Sequence, residues 1–350
     1  MKFRDMIRDY LIRFRNSLKR FPLTFGYTVL AATAIILITY EVIDSESGAV
    51  ILMSLAVMVL ADVAVKLERE IRGLPIWLEI IIDLAIGALT YALYWHTDVS
   101  MLYLLGYGGG VVSLIAICLY QIYRIAGIEA TFGHLVWSLI YDGLLTGIAE
   151  SGISLSLLAF LSLITDFRNS YRLFISIGAI MATVVYVNVF LAFLPKSGSK
   201  LTISRVYSTL VNKIALVLYL LLVGILYLYF IKIIITWQLP RGEINFFVSL
   251  VLLGFCLFYL SCQGENNRLA KVYLKVGGFV MIPLMLMQGL ALYIRISEYG
   301  LTMWRVLSLY CDLIALLFVI DALVIKKVRW LFAALALVSV IATIGPLNGA

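Results

Sequence analysis

Apolar runs of about twenty residues recur along the whole chain, and few architectures can take them up. PLTFGYTVLAATAIILITYEV at 22–42, IALVLYLLLVGILYLYFIKIIIT at 214–236 and VGGFVMIPLMLMQGLALYI at 276–294 are three of them. Each is long enough to cross a hydrocarbon core as a helix, and none alternates as a membrane strand does. Across all 350 residues, 63% are hydrophobic and 13% charged. A water-soluble domain carries about a quarter charged residues. The expectation is an all-α, polytopic helical membrane bundle of about eleven crossings. The spans fall near 22–42, 48–66, 75–95, 101–119, one within 132–165, 173–194, 214–236, 244–262, 277–296, 304–325 and 328–346. Residues 22–350 then form one membrane domain behind a leader at 1–21.

The segment at 132–165 is too long for a simple crossing, and Glu150, Ser151 and Gly152 at its middle suggest a break. Arginine and lysine decide how many times it crosses. One crossing, with the N-terminus inside, puts the leader, Lys66, Arg69, Arg72, Arg124, Lys196, Lys200, Arg205, Lys213, Arg268, Lys271, Lys275, Lys326, Lys327 and Arg329 inside. Two crossings would move much of this charge outside, against the positive-inside rule. The sequence therefore predicts a cytoplasmic N-terminus and an outside C-terminus.

The first twenty residues, MKFRDMIRDYLIRFRNSLKR, hold seven cations interleaved with Phe3, Met6, Ile7, Tyr10, Leu11, Phe14 and Leu18. That order separates apolar and basic faces of a helix and lacks the form of a cleavable signal peptide. It fits a helix on an anionic lipid surface, or a solvated basic leader that sets orientation. The net charge of +7 lies largely in this leader and at span ends, which argues against a nucleic-acid partner. Cys118, Cys256, Cys262 and Cys311 lie in apolar spans without metal-ligand spacing, and only His96 and His134 add imidazole. No metal, cofactor or catalytic residue set is expected, because no HExxH, Ser-His-Asp order or nucleotide fingerprint is present. The LGYGGG run at 105–110 lacks the Lys-Ser of a phosphate loop and reads as close helix packing or a kink.

Ionisable groups at membrane depth are the candidate sites. Glu79 and Asp83 lie four apart on one helical face, where like charges repel. They suit a proton or cation site, a wet vestibule, or pairing with Arg69 or Arg72. Asp62 is four residues before Lys66 and reads as its local partner. Asp142 lies within the awkward segment and Asp312 near mid-span. Lys232 either snorkels outward or needs Asp312 or Asp142 as a partner. Asp321, five residues before Lys326, reads as an end-of-span charge.

Between two apolar spans lies RISEYGLTMWRV, residues 295–306. Arg295 and Glu298 share a helical face, Gly300 can stop a helix, Thr302 can cap the next, and Trp304 suits an interface. Tyr299 and Arg305 complete a hairpin that is either self-satisfied or offers an arginine pair to an anionic lipid headgroup or solute. This run, with VNVFLAFLP at 187–195, WQLPRGEINFFV at 237–248 and GPLN at 345–348, resembles the bacterial multi-span family termed domain-of-unknown-function family 4153. The resemblance covers most of 130–350. It implies a cytoplasmic-membrane helical bundle without a settled activity. Members often continue past the GPLN point into a soluble portion, which a chain ending at Ala350 is expected to lack.

Two functions follow as expectations. Broken helices and charges at depth suit a carrier of solute or lipid. The alternative is a non-transporting anchor or regulatory subunit of an envelope assembly, with a protein partner. An enzyme is disfavoured because no nucleophile and base are recognisable.

Overall fold

The computed structural model describes residues 3–95, 101–127, 130–164, 171–196, 201, 204–236, 244–300 and 302–344. Every regular element among them is a helix. Seven helices are long and apolar enough to cross a membrane, and Asn245–Ser261 and Val328–Ile341 are shorter apolar helices. The chain is thus a multi-pass helical membrane protein, as its apolar runs dictate. By its contacts it divides into two compact units, residues 1–98 with 135–196 and residues 99–134 with 197–350.

The first unit begins with α1 (Phe3–Arg20) and α2 (Pro22–Thr39). Phe21 is buried, and Pro22 opens α2 where its missing N–H costs nothing. Next is α3 (Ser45–Arg72), capped by Asp44, whose carboxylate accepts the Ser47 N–H at 2.8 Å. These backbone bonds hold the Asp44 carboxyl below its usual range. At the far end Gly73 turns left-handed, with φ 71°, and returns its N–H to Arg69. α4 (Ile76–Trp95) follows, and α3 and α4 approach closely where Gly87 faces Met58.

α2 and α3 form an antiparallel hairpin: Ile38 meets Gly48 near the turn and Thr24 reaches Asp62. α7 (Tyr171–Ala192, with a π-helical stretch over Ile180–Tyr186) runs antiparallel to α2. Its start is tied by Arg172 to Glu41 at 2.7 Å, and its far half by Asn188 to Thr28 at 3.0 Å.

Between α5 (Met101–Ala126) and α7 the chain forms α6 (Thr131–Ile164), a single helix of 34 residues. The break expected at Glu150-Ser151-Gly152 does not occur. Those residues sit inside regular helix, where one glycine costs only about 1 kcal/mol relative to alanine. An unbroken helix also contains no turn with which this segment could cross twice.

The second unit holds α5, α8 (Arg205–Thr236, with a π-helical stretch over Leu210–Ala215), α9 (Ile244–Ser261), α10 (Arg268–Tyr299), α11 (Met303–Ile320, continued by a π turn Asp321–Ile325) and α12 (Val328–Ile344). α5 and α12 run antiparallel, joined by Ser113 to the Ala336 carbonyl and by Tyr123 against Phe332. The glycines of LGYGGG play no packing role at Gly108 and Gly110, where an added Cβ meets open space.

The main core of this unit is aromatic: Tyr219, Phe255, Tyr259, Tyr273 and Phe318 are all buried. The Tyr219 hydroxyl donates to the Val251 carbonyl at 2.9 Å, which fixes the ring against Gly254, where an added Cβ would lie 2.6 Å from it. Gly254→Ala is therefore expected to overpack this contact and lower stability by about 1–3 kcal/mol, read as a lower thermal transition in detergent.

Candidate functional site

The end of α3, KLEREIR at 66–72, packs five charges into two turns, and the fold sorts them. Arg72 pairs back to Glu68 on its own helix. Glu70 takes a bidentate bond from Arg20 of α1, at 2.9 and 2.7 Å. Arg69 crosses to α4 and meets Glu79 at 2.5 Å. Of the pairings open to Glu79 in the sequence, the fold uses Arg69.

One turn earlier on α3, Asp62 is fully buried and accepts the Thr24 hydroxyl of α2. It makes no ion pair with Lys66, which corrects the local pairing expected from their spacing. The hairpin with α2 offers a hydroxyl at that height, so the carboxyl turns toward Thr24. Asp83 on α4 is also fully buried, and Tyr27 donates to it at 3.4 Å. Asp62 stands close enough to Glu79 and Asp83 for its charge to act on both.

Three carboxyls on three turns of two helices thus form one buried group, lined by Thr24 and Tyr27. Carboxylates have acceptors only, so a hydrogen bond between Asp62 and Asp83 requires a proton on one of them. Asp62 Oδ1 and Asp83 Oδ1 have no donor among the described residues. The nearby cations are Arg69 and Lys66, both acting on Glu79. The three acids share these two cations, and Lys66 also acts on Glu70. Among the described residues no three acids, cysteines or histidines converge as a metal would require.

A second polar contact sits on α6. Asp142, fully buried, lies 3.3 Å from the Tyr10 hydroxyl of α1 and 3.2 Å from the Thr146 hydroxyl; these two hydroxyls are 2.6 Å apart, so one donates to the other and the other donates to Asp142. Burial pushes the Tyr10 hydroxyl up to about 12, so it stays a donor at neutral pH.

In the second unit Asp312 lies half-buried on α11 with its Oδ1 lacking a donor. Lys232 is exposed on α8 and forms no ion pair with Asp312, in keeping with a side chain that snorkels. Asp321 is not a simple end-of-span charge. It is buried, accepts the Tyr259 hydroxyl at 2.9 Å and caps the Lys327 N–H at 2.9 Å. The π turn draws it inward, because Lys326 closes the helix with its N–H on the Asp321 carbonyl.

At the hairpin, α10 ends on Gly300 with φ 71°, as the glycine allows. Thr302 stands at the start of α11 but makes no side-chain cap, contrary to expectation. Its carbonyl instead accepts the N–H groups of Arg305 and Val306, and the Arg305 guanidinium bonds the Gly300 carbonyl. Glu298 and Trp304 are exposed, Arg295 is half-buried, and the Tyr299 side chain lies outside the described residues. Residues 237–243, 345–348 and His96 are also outside them.

Sequence comparison adds one match. The model of a family described as "Domain of unknown function (DUF4153)" aligns with residues 24–348, nearly the whole chain. The chain belongs to the DUF4153 family. The match extends toward the N-terminus beyond the motif-bearing 130–350, so it includes the carboxyl group on α3 and α4 as well as the hairpin. The whole of α1 precedes it. No curated protein and no solved structure matches the chain.

Sequence reasoning named Glu79, Asp83 and Asp142, read Asp62 as the partner of Lys66, and missed Thr24, Tyr27 and the contact of Tyr10 with Asp142. The usable signal was the i,i+3 pair Thr24–Tyr27, two hydrogen-bonding side chains on one face of an apolar helix. Arg69→Gln is expected to strand Glu79 and cost on the order of 3 kcal/mol, seen as reduced membrane abundance and a lower thermal transition. Arg69→Gln with Glu79→Gln is expected to recover most of that loss.

Proposed function

We propose that this protein carries a solute or lipid across a bacterial cytoplasmic membrane and couples that movement to a proton loaded at Asp62, Glu79 and Asp83. The observation that carries this reading is the charge count at the cluster: three buried carboxyls, two cations, and an acid pair close to each other with no donor between them. Ionisable groups kept at membrane depth against their solvation cost mark ion and proton pathways. Tyr27 and Thr24 supply hydroxyls at the same level, giving a leaving proton a hydrogen-bonded first step. The reading keeps the eleven crossings, with the N-terminus cytoplasmic and the C-terminus outside. In that orientation the cluster lies toward the cytoplasmic end of its helices, beside the basic end of α3. The hairpin arginines Arg295 and Arg305 face outward, where an anionic group can approach.

A non-transporting subunit would use the same charges only for stability, and flux separates the two. Purified protein in vesicles that enclose a pH-sensitive dye is expected to dissipate an imposed pH gradient faster than empty vesicles. Asp62→Asn and Asp83→Asn are expected to insert normally and return the rate to that of empty vesicles. Wild-type flux in both variants, or no flux in the wild type, overturns the proposal.

A further inference from the structure

The leader helix has two committed faces. At 100° per residue, Tyr10, Arg13, Ser17 and Arg20 form one row of α1, and Arg8, Arg15 and Lys19 form the opposite row. Every member of the first row is spent on the protein. Tyr10 is held by Asp142 and Thr146, and Arg13 stacks on Phe193 with its guanidinium carbon 4.4 Å from the ring centre. Ser17 is buried, and Arg20 binds Glu70 and the carbonyls of Leu194 at 2.7 Å and Pro195 at 3.0 Å. In the opposite row Arg8, Arg15 and Lys19 are exposed, flanked by Leu11 at 60% and Ile12 at 46% exposure.

We propose that this outer row is a docking surface for anionic phospholipid headgroups. It reverses the simplest reading of an amphipathic leader, in which the aromatic and apolar face meets lipid. Here Tyr10, Phe14 and Ser17 are turned toward the bundle, so only the cationic row remains for the bilayer. Position supports the occupant. Arg20 fastens α1 where α3 ends at Arg72 and α7 ends at Ala192, the level at which spans leave the hydrocarbon. Three cations at headgroup level attract an anionic leaflet by about 1 kcal/mol each. Leu11 and Ile12 beside them are suited to the acyl boundary and ill suited to water. An acidic soluble protein would gain from the charges but not from that depth. The inference rests on α1 alone and stands whether or not the bundle transports.

The test uses the full chain with Leu11→Cys carrying a polarity-sensitive fluorophore. The four native cysteines are all buried, so labelling is selective. The probe is read in vesicles of phosphatidylcholine with and without phosphatidylglycerol. A blue-shifted, brighter emission with phosphatidylglycerol, reversed by high salt, is expected. Arg8→Gln, Arg15→Gln and Lys19→Gln combined should shift the phosphatidylglycerol dependence by roughly a hundredfold, the equivalent of about 1 kcal/mol per cation. These three side chains are exposed, so an unchanged thermal transition is expected to show that the variant folds. Identical spectra in the two lipids overturn the proposal. So does a response to soluble polyglutamate with none to phosphatidylglycerol, which would assign the face to an acidic protein.

Discussion

Charge brought into a membrane has to be balanced where it stands, because neither water nor mobile ions are there to screen it. That constraint organises the first unit around Asp62, Glu79 and Asp83. Arg69 crosses from α3 to α4 to meet Glu79, and Thr24 and Tyr27 of α2 turn toward Asp62 and Asp83. In the carrier proposed above, a proton fills and leaves this group.

Around that group the fold spends its other polar residues on fastening helices. Arg20, Glu70 and the carbonyls ending α7 hold the leader against the bundle. In the second unit a connected set serves α8 and α9: Tyr207 bonds Ser261 at 2.7 Å, Ser261 donates to Asn212 at 2.6 Å, and Asn212 donates to Glu265 at 2.9 Å. Asn212, Asn188 and Asp321 each lie in or beside a π-helical stretch. Such stretches release backbone groups from the regular ladder and turn side chains to new directions. They accompany these three buried groups, whereas Asp62, Glu79, Asp83 and Asp142 sit in regular α-helix.

Much of the fold was legible because helix length and apolar runs are one-dimensional signals. The helical class, the limits of α2 and α4, the stop at Gly300 and the burial of the four cysteines follow from residue type and spacing. Contacts between helices are another matter. The spacing of Asp62 and Lys66 is that of a helical ion pair, and only the hairpin with α2 reveals Thr24 as the better-placed partner. Glu150-Ser151-Gly152 reads as a break because its residues favour one, yet a long helix absorbs them at little cost. Tyr10 and Asp142 are 132 residues apart, and no local pattern links them. The π-helical stretches likewise carry no composition of their own.

The most direct test of the central claim is chemical labelling of carboxyls in native membranes with a hydrophobic carbodiimide, mapped by mass spectrometry. The reagent reacts with protonated carboxyls at membrane depth. The account predicts adducts on Asp62 or Asp83 that disappear when both are changed to asparagine. Labelling confined to exposed acids such as Glu46 and Glu298, with none on α3 or α4 at depth, would contradict it.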